Sequence, residues 1–245
     1  MNKSPAIPSP EFFCLPAQYQ QQRSIESHDE FNTDPYWNAE RIATSAMYQQ
    51  HVYRWAASLI SKLSVSSVLD IGCGPGTKLA KFIQPYCDDV VGADLENAVV
   101  IAQRLHEQIR FQVADLDQYD TLGDRNFDLI ICADVIEHLA DPRILLKNIR
   151  SVCHSDSKIL ISTPDRHRLR GRQSMGSPMK EHIREWSVHE LNQFLQQEGF
   201  EILKSRLFHF GDGNHIFSSI RDFAYRLRLT GCSPLRCNTV LCTPK

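Results

Sequence analysis

Between Ser64 and Ile202 the chain alternates short apolar runs with amphipathic stretches. The runs are SVLDI, DVVGAD, IRFQVAD, FDLIICAD and KILIST, and the stretches between them include TKLAKFIQPY, NAVVIAQRLHEQ and PRILLKNIRSVC. Runs this short suit strands buried on both faces, while the stretches place apolar residues at helical steps. Such alternation predicts crossover units, hence an α/β fold with a doubly wound, mostly parallel sheet and helices on both faces. FEILKSRLF and CNTVLCTP add two strands, which makes the sheet seven-stranded. Helix boundaries are also written in the sequence. Asp141-Pro142 supplies an N-cap followed by proline, Ser187 and Glu190 form a capping box at the head of SVHELNQFLQQEGF, and Gly199 ends that helix.

Ahead of this region the pattern differs. Residues 1–34 are rich in Pro, Ser and Gln without a sustained period and read as a mobile arm. From residue 35 to 63, Ile42, Met47, Val52, Trp55, Ile60 and Leu63 recur at helical steps, which predicts a helical lid over one end of the core. A length of 245 residues fits one domain over 35–245. No apolar run approaches the roughly 20 residues that cross a bilayer, and MNKSPAIPSPEFF lacks a signal peptide's apolar core, so the expected location is the cytoplasm. Several of the eight cysteines sit in strand-like runs and are expected to be buried thiols. The net charge of -2 argues against nucleic acid or membrane as partner. It is unevenly spread, with 13 basic against 8 acidic side chains from Pro164 onward and 14 against 21 before it, so the back third is where an anionic ligand is expected.

In an open parallel sheet, ligands sit beyond the carboxyl ends of the strands. VLDIGCGPG, Val68 to Gly76, stands at such an end, and glycines there admit positive φ and let a ligand lie directly on the backbone. A dinucleotide fingerprint is G-x-G-x-x-G, whereas Gly72, Gly74 and Gly76 give G-x-G-x-G with Thr77 in the place of the last glycine. A phosphate-binding loop of the form G-x4-G-K-[ST] fails at the same position. The run instead resembles motif I of class I S-adenosylmethionine-dependent methyltransferases. Further stations follow in order: Asp94 in VVGADLE, Asp115 in FQVADLD, and Ala133 and Asp134 in FDLIICADVIEHLADP. The last of these is similar to a motif of the ubiquinone-biosynthesis O-methyltransferases.

That resemblance covers about Ser64 to Ile202 and implies a Rossmann-like methyltransferase fold, with residues 64–163 as the cofactor half and 164–245 as the substrate side. It implies S-adenosylmethionine as cofactor. Asp70 and the Gly72 carbonyl would lie near its amino group, with Cys73, Gly74 and Gly76 in the turn beneath it. Asp94 would accept from the ribose hydroxyls beside Leu95, Asp115 from the adenine amino group beside Leu116, and Ala133 with Asp134 would border the methionine portion.

Methyl transfer then needs an aligned acceptor and, for a hydroxyl, a proton acceptor. His138 is the natural base, next to Asp134, because imidazole titrates near neutral pH; the plainer alternative is that Glu137 and His138 tie the following loop to the sheet. A second alternative treats Asp134, Glu137 and His138 with the later His182 as a D-x-x-E-H set. This set is similar to the divalent-ion site of the plant small-RNA 2'-O-methyltransferases, with Asp in place of the first Glu. The arginines of RHRLRGRQSMG, Arg166 to Gly176, are candidates to clamp a carboxylate or phosphate, with a solvated loop as the alternative. FSSIRDFAYRLRL, Phe217 to Leu229, reads as a lid or dimer helix, and Trp37, Tyr48, Tyr53 and Trp55 as core or as an aromatic acceptor pocket. The expectation is a monomeric or homodimeric enzyme that methylates a small-molecule hydroxyl. RNA 2'-O-methylation with an ion, N- or carboxyl methylation, and cofactor binding without catalysis are the alternatives.

Overall fold

The structure is a computed structural model that describes residues 8–22, 36–209, 227 and 235–245. Its seven strands are β1 (Ser67–Ile71), β2 (Asp89–Asp94), β3 (Arg110–Val113), β4 (Phe127–Ala133), β5 (Cys153–Pro164), β6 (Phe200–His209) and β7 (Leu235–Pro244). They form one sheet in the order β3-β2-β1-β4-β5-β7-β6. The first five are parallel, and β7 runs antiparallel between β5 and β6. The doubly wound, mostly parallel seven-stranded sheet is therefore as the alternating pattern predicts.

Among the described residues seven α-helices flank it: α1 (Ala39–Ser45), α2 (Gln50–Leu63), α3 (Thr77–Phe82), α4 (Glu96–Leu105), α5 (Pro142–Ser151), α6 (Arg166–Arg170) and α7 (Val188–Gln197). Successive side chains of a strand point to opposite faces, and here they feed two cores. Leu69, Ile130, Cys132 and Ile161 pack with Leu145 and Leu146 of α5 and Phe194 of α7. Val68, Leu129, Ile131 and Leu160 pack with Val52, Ala56 and Ile60 of α2 and Leu79 of α3. The caps behave as written: Asp141 accepts from the Arg143 N–H, Ser187 and Glu190 complete their capping box, and Gly199 turns the chain at φ +83°. The described cysteines are free thiols, most of them buried. Among the described residues no helix is long and apolar enough to cross a membrane.

The expectation of a mobile arm is not met over residues 8–22. Phe13, Leu15 and Tyr19 are buried, Phe13 meets Phe194 edge-on at 5.9 Å, and its carbonyl accepts from Trp186 Nε1 at 2.8 Å. Periodicity missed the segment because it is a single 3-10 turn, Pro10–Phe13, followed by irregular backbone. Its anchors therefore have no repeat to reveal them. Apart from Leu227, the amphipathic stretch Phe217–Leu229 lies outside the described residues.

Replacing Phe13 by Ala is expected to lower the stability by about 3 kcal/mol, the cost of a large core truncation. The urea midpoint measures it, and an unpacked arm would leave that midpoint unchanged.

Candidate active site

The turn from β1 into α3 lies at the carboxyl end of the sheet. There the crossover from β1 leads to β2 on one side while β4 and β5 continue on the other, which makes it a topological switch point. Gly72 and Gly74 hold φ of +74° and +56°. A Cβ on Gly72 would come within 2.3 Å of Val135 Cγ2, and one on Gly74 within 3.1 Å of Trp37 Cη2. Glycine is required at Gly72 both by dihedral and by space, so the turn presents bare backbone.

Its shape is fixed from β2. The N–H groups of Gly72 and Cys73 donate to the Ala93 carbonyl at 2.8 and 3.3 Å. Asp94 accepts from the Gly74 N–H on Oδ2 and from the Leu95 N–H on Oδ1, each at 2.7 Å. Burial raises the Asp94 carboxyl above its ordinary range, and the two N–H donors oppose that rise.

Asp70 lies under the turn and accepts from the Tyr53 hydroxyl of α2 at 2.9 Å on Oδ2. Its Oδ1 is buried without a protein partner. Burial pushes its carboxyl up to about 7, against the opposing pull of the Tyr53 hydrogen bond and the Lys78 charge. Lys78, in the first turn of α3, donates to Gln49 Oε1 at 2.8 Å and to the Ser45 carbonyl at 3.2 Å.

A cavity of about 280 Å3 lies over the turn, walled by Gly72, Cys73, Gly74, Asp94 and Leu95, by Ala114 and Leu116 after β3, and by Ala133, Asp134 and His138 after β4. A second cavity, of about 760 Å3, adjoins it and shares Tyr36, Trp37, Tyr48, Gln49, Asp134 and His138 as walls. Most residues anticipated from sequence thus meet at one place. Asp70, Gly76 and Asp115 do not line the first cavity. Gly76 caps α3, and Asp115 accepts from the Asp117 N–H at 3.0 Å to close a local turn.

At the junction of the cavities Asp134 adopts φ +54°, a left-handed conformation that costs a non-glycine residue on the order of 1 kcal/mol. Hydrogen bonds hold it there. Its N–H donates to the Ser162 carbonyl at 3.0 Å, and its carboxylate accepts from Ser162 Oγ at 2.6 Å and from Gln49 Nε2 at 3.0 Å. Gln49 therefore bridges Lys78 of the glycine-turn helix and Asp134. Neither Gln49 nor Lys78 was marked by any motif; only their spacing in folded space assigns them.

Glu137 is fully buried. Its Oε2 accepts from Thr163 Oγ1 at 3.0 Å, while Oε1 has no protein partner. Burial, reinforced by the Asp134 charge, raises its carboxyl well above the ordinary range. His138 Nδ1 faces the Glu181 carbonyl at 2.8 Å. A carbonyl only accepts, so Nδ1 carries the proton and the lone pair is on Nε2. Burial and then the neighbouring His182 bring the imidazole down to about 4.

His182 lies edge-on to His138, centroids 4.9 Å apart, and its Nδ1 meets Glu185 Oε1 at 2.7 Å. Burial would raise the Glu185 carboxyl, but the hydrogen bonds from His182, Arg170 and Ser177 outweigh it and hold it at about 2. Glu137, His138 and His182 each bring a donor atom within 4.8 Å of the others. Mixed oxygen and imidazole donors suit Mg, Mn or Zn, and carbonyl or carboxylate partners on the opposite ring nitrogens are what metal-bound histidines use. Asp134, the fourth member expected from sequence, stands outside this group because its carboxylate is taken by Ser162 and Gln49.

Other expectations are corrected. Arg166 is fully buried, paired with Glu190 and set over the Tyr19 ring, so it holds structure rather than a substrate anion. Arg170 lines the larger cavity but pairs with Glu185 at 3.0 Å. Among the four aromatic candidates, Trp37 and Tyr48 line both cavities, Tyr53 serves Asp70, and Trp55 packs against Phe208.

Residues 48–205 match the family model of a methyltransferase domain. The ubiquinone biosynthesis O-methyltransferase of Coxiella burnetii is 29% identical over 105 residues, 41% of this chain and 44% of that protein, so the chain spans less than half the length of this relative. Magnesium protoporphyrin IX methyltransferase from Synechocystis, solved with bound S-adenosylhomocysteine, superposes with a TM-score of 0.60 at 16% identity, covering 91% of this chain and 100% of that one. The methyltransferase domain of bacterial CtHen1-C gives a TM-score of 0.56 at 16% identity over 80% of this chain and 97% of that one. With the family model covering more than half of the chain, and with bare backbone, a carboxylate-clamped turn and a cavity at the switch point, the chain belongs to the class I S-adenosylmethionine-dependent methyltransferases.

Proposed function

We propose that the chain methylates a hydroxyl oxygen of a small-molecule acceptor held in the 760 Å3 cavity. The observation that carries this reading is His138, which lines both cavities as a neutral imidazole with Nδ1 committed to a carbonyl. S-adenosylmethionine, when bound, supplies an electrophilic methyl group on a sulfonium that is its own leaving group. What remains for the protein is binding, orientation and the proton.

Asp94 is placed to accept from ribose hydroxyls, since each carboxylate oxygen keeps a lone pair beyond its bond to the turn. Ala114 and Leu116 offer apolar walls to the base, and the unpartnered Asp70 Oδ1 offers a counter-charge to the cofactor's ammonium. His138 acts differently from the near-neutral base anticipated in the sequence. Moving a proton outright from a phenol near 10 to an imidazole near 4 would cost about 8 kcal/mol, at 1.36 kcal/mol per unit. The proton therefore passes to Nε2 only as the carbon–oxygen bond forms, when the methylated oxygen becomes a far stronger acid than the imidazolium. Nε2 serves by accepting the hydroxyl's hydrogen bond and so aiming an oxygen lone pair. The name of the Coxiella relative supports an oxygen acceptor, and the net charge of -2 disfavours a polyanion.

A second reading is RNA 2'-O-methylation, favoured by the Glu137, His138 and His182 donors. In it those three residues would hold a divalent ion, which would acidify the acceptor hydroxyl.

Labelled cofactor incubated with phenols, sugars, amines, carboxylic acids and short RNAs separates the two. Label on a hydroxyl compound that survives dialysis against EDTA is the expected result; label on RNA lost with EDTA and restored by Mn or Mg would replace it. His138→Gln is expected to lower kcat about 10²-fold with S-adenosylhomocysteine affinity unchanged.

Asp70 gives a pH test. The unfolded chain releases this proton near the ordinary 3.8, the folded chain only near 7, so between those values the native state holds the extra proton and stability falls as pH rises. The loss reaches about 4 kcal/mol above pH 7, at roughly 1.4 kcal/mol per unit. Asp70→Asn keeps an acceptor for Tyr53, and is expected to raise the Tm of the cofactor-free protein at pH 8 but not at pH 4. It is also expected to weaken S-adenosylhomocysteine binding at pH 8 by about tenfold in calorimetry, the scale of one lost charged contact. Unchanged binding would remove Asp70 from the site.

A further inference from the structure

Residues 13–22 are stitched to residues 175–186. The Gln20 N–H donates to the Met175 carbonyl at 2.7 Å and the Gln22 N–H to the Ile183 carbonyl at 3.0 Å. Gln22 Nε2 donates to the Ser177 carbonyl at 2.6 Å, and the Tyr19 hydroxyl accepts from the Glu185 N–H at 2.8 Å. None of the described residues 8–22 lines either cavity. The segment they hold does: Met179 and His182 wall the larger cavity, and the Glu181 carbonyl fixes Nδ1 of His138.

Arg184 joins the two systems. It is fully buried. Its Nη1 and Nη2 donate to the carbonyls of Leu139 and Ala140 at 2.8 and 3.0 Å, its Nε donates to Gln21 Oε1 at 2.9 Å, and its guanidinium carbon lies 4.1 Å from the centre of the Phe13 ring. Leu139 and Ala140 directly follow His138. One buried cation is thus shared between the N-terminal segment and the turn that carries the imidazole. The hydrogen-bond acceptors in contact with it are neutral, with Asp141 and Asp117 acting only through space, and burial brings its guanidinium down to about 10, still protonated at neutral pH. A buried charge depends on every acceptor it has, because an unmet donor cannot turn to water.

We infer that residues 8–22 are a positioning strap for the acceptor site: they hold 175–186 against the 136–140 turn and, through Arg184 and the Glu181 carbonyl, set the ring plane and Nδ1–H tautomer of His138. The inference rests on the reading of His138 as the group that meets the acceptor, though the tautomer it fixes serves an ion ligand equally well. Its consequence is a split between the two halves of the site. Loosening the strap disturbs the imidazole and leaves the glycine turn intact.

The test uses the full chain saturated with S-adenosylhomocysteine and labelled with 15N in the histidine rings, the His138 signals being assigned by their loss in His138→Gln. In the unmodified protein His138 is expected as a single neutral Nδ1–H tautomer. In Tyr19→Phe/Gln21→Ala its two ring nitrogens are expected to shift towards each other as the tautomers exchange. Amide hydrogen exchange over 175–186 is expected to rise on the order of tenfold, as loss of one or two hydrogen bonds predicts, while the S-adenosylhomocysteine Kd stays within about twofold. Unmoved His138 signals with unchanged exchange in the folded double variant would overturn the strap, as would a Kd that worsens in step with the tautomer change, since that marks general loosening. Arg184→Gln is expected to give the same effect more strongly, and if it fails to fold the double variant still decides. Should the tautomer shift appear while His138→Gln retains full methyl transfer, the strap stands and the role given to His138 falls.

Discussion

One carboxylate holds the glycine turn of this molecule together. Asp94, at the last position of β2, accepts the Gly74 N–H from the preceding turn and the Leu95 N–H from its own chain, so two strand ends become one rigid rim. A loop with Gly72 and Gly74 at positive φ is entropically expensive to order, and hydrogen bonds supplied by a neighbouring strand are the cheapest means of ordering it. With the rim fixed, the position of Val135 above Gly72 and of Trp37 above Gly74 follows from contact alone.

The surroundings of the larger cavity are organised by the opposite principle. There the chain buries Glu137, Arg166, Arg184 and Glu185, groups that ordinarily seek water. Each is met in a different manner: the Thr163 hydroxyl for Glu137, an ion pair for Arg166, carbonyl and amide oxygens for Arg184, and a fan of donors for Glu185. The low polarizability of that interior keeps the His138 imidazole neutral.

The sheet and the glycine turn were legible because both follow from local rules. Strand alternation, the glycine spacing and the acid at the end of VVGAD each leave a mark within a few residues, and the caps at Asp141 and Ser187 do the same. What escaped was non-local. Phe13, Leu15 and Tyr19 lie in irregular backbone, Gln49 and Lys78 matter only because two helices bring them together, and Arg184 and Arg166 look like solvated charges until their partners from far along the chain are known. The arginine-rich stretch, open between an anion clamp and a solvated loop, hid its partners for the same reason. Composition signalled an anion site, whereas Arg166 and Arg170 are answered by carboxylates of this chain, Glu190 and Glu185.

The placement of β7 bears on how the protein is born. It lies inside the sheet, with β5 on one side and β6 on the other, yet it is made after both. While a ribosome is still translating the stretch before residue 235, β5 and β6 have no common neighbour, and each shows a row of open amide and carbonyl groups able to recruit other chains. The sheet therefore closes only after residues 235–244 have emerged.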